Sequence, residues 1–95
     1  MRIQPTPADV KQALIKLLSN VAGSSSIADD KSKLVAHQIE LCINRTKAEV
    51  SEGAALIDAC APQGRAMLTQ AQIKLGQLLA LKVLEAVVSK SYGPL

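Results

Sequence analysis

The stretch IDACAPQGRAML (57–68) decides the fold. Helical periodicity flanks it on both sides, and between the flanks sits Cys60-Ala61-Pro62-Gln63-Gly64. Pro62 disfavours helical backbone at Ala61 and itself suits the first turn of a new helix, because its missing N–H is not needed there. Gly64 adds conformational freedom. A lone proline could merely kink a helix, but the chain would then be a rod of some sixty residues, roughly 90 Å long at 1.5 Å per residue. Such a rod needs sustained heptads, and the reading finds none. The chain is expected to double back into two matched arms, about 29–60 and 64–91.

Working outward, Leu34, Val35, Ile39, Cys42, Ile43 and Val50 mark one face of the first arm, with Leu41 at its margin. Lys33, His37, Glu40, Asn44, Lys47 and Ser51 fall opposite, as helical spacing requires. Ser26 or Asp29 can cap this arm. Gly53 is a weak point inside it, since glycine in a helix costs about 1 kcal/mol relative to alanine. Upstream, Thr6-Pro7-Ala8-Asp9 is a helix start, with Thr6 as cap, Pro7 in the first turn and Asp9 completing a capping box. Val10, Leu14, Leu17 and Val21, flanked by Ala13 and Leu18, form one stripe of a first helix over about 7–21. The segment 22–28, with Gly23 and three serines, then breaks it.

The second arm is apolar over more than half its girth, through Leu75, Leu78, Leu79, Leu81, Val83, Leu84, Val87 and Val88. A helix of that kind needs more than one neighbour. The first arm is one, and the short first helix is the other. Pairing across the turn sets Leu56 near Leu68, Val50 near Leu75, Leu41 near Leu84 and Ile39 near Val87. On this reading Leu79 and Leu84 are core residues. Gly76 and Ala80, four apart, form a close-approach strip, read as ordinary packing rather than a dimer motif.

Composition agrees. The chain has 95 residues, no Trp, no Phe and a single Tyr, so its core is built from aliphatic side chains rich in helix formers. The expected fold is all-α: a long antiparallel helical hairpin with a shorter N-terminal helix packed on it, a three-helix bundle of one domain. The short helix spans only about 22 Å and cannot reach the turn. Ala55, Leu56, Ile57, Ala59, Met67 and Leu68 at the tip are therefore expected to be covered by another copy or another protein, since large exposed apolar patches mark interfaces.

Chemistry is sparse. His37 and Glu40 offer two ligands where a metal site needs three or four. Neither Cys42 nor Cys60 is placed to use His37 as a base, and Cys42 and Cys60 would lie about 27 Å apart on an unbroken helix, too far for a disulfide. Ser24, Ser25 and Ser26 read as linker, and Asp29-Asp30 as a helix start. No catalytic residue, metal ligand or cofactor is expected. The net charge of +3 is a mild lean, its cations are dispersed, and no aromatic platform exists for bases to stack on. The N-terminus lacks the h-region of a signal peptide, and Met67 to Val88 carries Lys74, Lys82 and Glu85, too polar for a spanning helix. A cytoplasmic protein without a membrane partner is expected.

The sequence ACAPQGRAMLTQAQIKLGQLLALKVLEAVV (59–88), preceded by a long amphipathic arm and a short first helix, resembles the TraM-type quorum-sensing antiactivators. The likeness covers about residues 27–91 and rests on layout, on Cys60, Pro62 and Gln63 near the turn, and on the Leu-rich last helix. It departs in lacking scattered aromatics. It implies a small cytosolic helical protein that binds a LuxR-type transcriptional activator and keeps it from DNA. The expected function is thus a non-enzymatic protein–protein interaction module, a homodimer that occludes a partner. The alternatives are a subunit of a helical assembly and, as an outsider, a DNA-binding protein.

Overall fold

A computed structural model describes residues 5–22 and 34–95. The described residues are all-α and form a bundle of three helices: α1 (Pro7–Ala22), α2 (Val35–Asp58) and α3 (Gly64–Tyr92). The principal packing is of α2 against α3, with α1 on both. The molecule is elongated, 59 × 23 × 19 Å, with a radius of gyration of 15.8 Å against about 12 Å for a compact chain of this length.

The helix starts follow local chemistry. The Thr6 hydroxyl accepts the Asp9 N–H and the Asp9 carboxylate accepts the Thr6 N–H, each at 3.2 Å, a reciprocal pair that satisfies two orphan donors. The caps expected at Ser26 or Asp29 lie outside the described residues. At the described start of α2, the Val35 N–H donates to the Leu95 carbonyl at 2.7 Å. Leu95 gets there because Gly93, at φ 79°, lets the chain turn off the end of α3 into a conformation that side chains resist.

At the other end the chain reverses through a Schellman motif. Cys60 N–H donates to Ile57 O at 2.9 Å and Ala61 N–H to Leu56 O at 2.8 Å, the 5→2 and 6→1 bonds that close a helix C-terminus. The left-handed residue this motif requires is Cys60, at φ 61°. Pro62 then blocks any continuation, and α3 starts two residues later at Gly64.

Two glycines set how closely the arms meet. A Cβ on Gly53 would lie 2.9 Å from the backbone nitrogen of Leu68, and one on Gly64 would lie 2.7 Å from that of Ile57. Helix α2 runs through Gly53 unbroken, so what the sequence marks as a weak point is the place where the helices touch backbone to backbone. Farther out, Lys74 pairs with Glu49 at 3.8 Å and Lys82 with Glu40. This register corrects the expected one. Opposite any residue of α2, α3 stands about three residues earlier, nearly one turn, because the reversal is centred on Cys60 and Ala61 rather than on Pro62.

The core lies toward the end of the hairpin away from the turn. Leu14 and Leu18 of α1, Val35, Ile39, Cys42 and Ile43 of α2, Leu78 and Leu81 of α3, and Leu95 form one buried cluster. Leu17, by contrast, is exposed. Thr46, buried on α2, satisfies its hydroxyl by donating to the Cys42 carbonyl at 2.8 Å, the back-bond that makes a hydroxyl tolerable inside a helix.

Candidate interaction surface

The expected six-residue tip is split by the structure. Ala55, Ile57 and Ala59 are exposed, while Leu56, Met67 and Leu68 are half-buried. Leu56 and Leu68 line the helix crossing, each within close reach of the positions where Gly64 or Gly53 would carry a Cβ. They belong partly to the hairpin itself. Beside them lies an open cleft of ≈ 670 Å3 bordered by Val21, Glu49, Met67, Gln70, Lys74 and Gln77.

The larger apolar surface is elsewhere. Leu79 and Leu84, expected in the core, are 45% and 43% exposed, and Ile73, Val83 and Val87 are 59%, 64% and 58% exposed. The physical reason is that α1 and α2 together cover only one side of α3. At 3.6 residues per turn, the buried residues Ala71, Leu78, Leu81 and Glu85 share that side, Ile73, Ala80, Val83 and Val87 point away from it, and Leu84 stands at its flank. The Gly76–Ala80 strip, read from sequence as ordinary packing, is also on the outside: both residues are exposed, and a Cβ on Gly76 would meet nothing within 4 Å.

Charge is distributed in the reverse of the usual order. Between Arg65 and Lys90, the charged residues of α3 are Lys74, Lys82 and Glu85. The two lysines reach across to acids of α2, and Glu85 is buried, accepting a hydrogen bond from Ser89. The outward side from residue 66 to residue 87 is left uncharged. A helix that places its charges against a neighbour and its aliphatics in solvent is the strongest anomaly of the molecule, since exposed helix faces are ordinarily the polar ones.

The residues that could carry chemistry are scattered. Among the described residues no three His, Cys, Asp or Glu come together to hold a metal ion. His37 is exposed on α2. Cys42 is buried and Cys60 exposed, both as free thiols, and burial pushes the Cys42 thiol above its ordinary pKa. No helix among the described residues is long and apolar enough to cross a membrane.

Sequence reasoning missed the outer face of α3. Its signal was present in the placement of charge, because Lys74, Lys82 and Glu85 fall on a single side of a helical wheel. No protein-family model, no curated protein and no solved structure matches this chain.

Proposed function

We propose that this chain works by protein–protein contact, as a small cytoplasmic helical module that binds a partner and occludes the partner's working surface. The observation that carries the reading is the uncharged apolar surface left outside by the fold, on the outer side of α3 and on Ile57, Ala55 and Ala59 at the tip. Exposed aliphatic side chains gathered on one helix face mark a place that something else covers. The likeness in layout to TraM-type antiactivators favours a transcriptional activator as the occluded partner. The tip suits that role because it lies beyond the main core cluster and carries the exposed Ile57.

The test is a capture from the native host with Ile57→Glu as the paired control. A DNA-binding activator retained by the wild-type chain and lost with Ile57→Glu, and released from its own DNA as the chain is added, is the expected result. An activator that stays on DNA at saturating chain, or a chain that itself shifts duplex DNA with a steep salt dependence, overturns the reading.

A further inference from the structure

Helix α2 begins without a local cap. Leu34 at its N-cap supplies no side-chain hydrogen bond, and its first turn holds no acidic residue, whereas α1 opens on the reciprocal Thr6–Asp9 pair. The first donors of a helix need partners from outside it. The Val35 N–H finds one in the Leu95 carbonyl at 2.7 Å, supplied from beyond the end of α3.

The residues between are built to bring Leu95 there. Gly93 closes α3 by donating to the Ser89 carbonyl at 2.8 Å. It takes φ 79° and ψ −177°, a region essentially confined to glycine. Pro94 is exposed and bars the chain from resuming the helix. Leu95 then turns back inward to 6% exposure. It joins one cluster with Leu14 and Leu18 of α1, Val35 and Ile39 of α2, and Leu78 and Leu81 of α3. A tail that is merely frayed buries nothing and bonds to nothing; this one does both.

The helix most dependent on that cluster is α1. Leu14 and Leu18 are its two buried residues, against seven in α2 and five in α3. Both belong to the cluster that Leu95 shares. The close crossing at Gly53 and Gly64 is at the other end of a molecule 59 Å long and uses none of these side chains. Local opening follows such divisions, and the element with least buried leaves first.

We infer that Gly93, Pro94 and Leu95 form a latch that holds α1 on the hairpin. Seated, Leu95 gives the start of α2 its acceptor and ties that start to the leucines of α1. Released, it withdraws both, and α1 undocks while the crossing at the tip holds. Undocking uncovers the core faces of α2 and α3, so the latch governs access to apolar surface that the closed protein hides. That surface is separate from the tip and from the outer side of α3, and the latch does not depend on the activator-occluding role.

Amide hydrogen exchange, resolved residue by residue, tests it in Gly93→Ala. A Cβ at Gly93 meets nothing within 4 Å, so the change leaves the core intact and acts by resisting the backbone that seats Leu95. Exchange at Val35 and from Leu14 to Leu18 is expected to quicken about tenfold, as a side chain forced into a glycine-only conformation implies. The amides from Gly53 to Leu56, and that of Leu68, should keep wild-type rates. Leu95→Ala, which trims the seated side chain and leaves the return intact, is expected to give the same pattern. Unchanged rates at Val35 and in α1 overturn the inference. An equal rise at every amide, the tip included, overturns it as well, because Leu95 would then be one core residue of a single cooperative unit. A Gly93→Ala chain that loses its helical circular dichroism belongs with that second result.

Discussion

Helix α3 carries glycine at two levels on opposite sides, and the two are treated differently. At the tip, Gly64 and its neighbour across the crossing, Gly53, are buried, and a single added carbon would strike the backbone of the facing helix. Near the middle, Gly76 is exposed and an added carbon would meet open space. The first level shows what a glycine in a helix contributes when its cost in propensity is offset by close approach. The second shows the same cost with nothing inside the protomer to offset it. The contrast extends to leucines one and six residues apart: Leu78 is fully buried while Leu79 and Leu84 are nearly half exposed.

The leucines give the largest expected effect. Leu78→Ala removes a side chain at 0% exposure from the centre of the core cluster and should cost about 2–5 kcal/mol in chemical denaturation. Leu84→Ala, at a position 43% exposed, should cost less than about 1 kcal/mol. Equal losses at the two positions would mean that α3 has no distinct outer side, and the comparison would break.

The glycines come next, and there the sign changes. Gly64→Ala and Gly53→Ala force backbone apart from Cβ at 2.7 and 2.9 Å and should destabilise by about 1–3 kcal/mol, as overpacking does. Gly76→Ala should stabilise by up to about 1 kcal/mol, the difference in helix propensity, since the added carbon meets nothing within 4 Å. Thermal melts of the three variants side by side decide it. A stabilising Gly53→Ala would show that the helices can separate at the crossing at little cost.

How much of this was legible in sequence follows from the same contrast. The reversal, the all-α bundle and the buried face of α2 are readable, because Pro62 leaves only a turn or an implausibly long rod and because Val35, Ile39, Cys42 and Ile43 alternate cleanly with His37, Glu40 and Asn44. On α3 the aliphatics of the two sides cancel each other's periodicity, so the helix looks apolar all round and its sequence does not separate buried Leu78 from exposed Leu79 and Leu84. The register is not legible in the same way, because the turn is centred on Cys60 and Ala61 and not on the proline that marks it. Which residue would adopt the left-handed conformation could not be read either. Glycine is its usual occupant, yet here it is Cys60 that takes the position while Gly64 opens the next helix.

That assignment carries its own expectation. Cys60 holds φ 61°, a region costing an ordinary side chain about 1–2 kcal/mol. Part of this gain is lost to the greater freedom of glycine in the unfolded chain. Cys60→Gly should therefore stabilise by roughly 0.5–1 kcal/mol. Such a rise would separate the two demands made on glycine here, backbone conformation at the turn and close approach at Gly53 and Gly64. A loss of stability would mean that the Cys60 side chain contributes more than its strain costs.

The smallest effect concerns how α3 keeps its outer side free of charge. The Lys82 ammonium donates a hydrogen bond to the Glu40 carboxylate and attracts it, which holds that carboxyl below its ordinary value of 4.5. A carboxyl whose folded pKa is depressed contributes stability that is present above the unfolded value and is lost as pH falls through the folded one. Glu40→Gln should thus narrow the wild-type advantage seen at pH 7, and the two proteins should converge as pH drops below 4.5. Both partners are well exposed, so the difference should also shrink in high salt. Denaturation at a series of pH values in low salt measures it. Identical curves throughout would show that Lys82 is held toward α2 by its position on the helix alone, and that the charge-free outer side is set by the spacing of residues along α3 rather than by ion pairing across the hairpin.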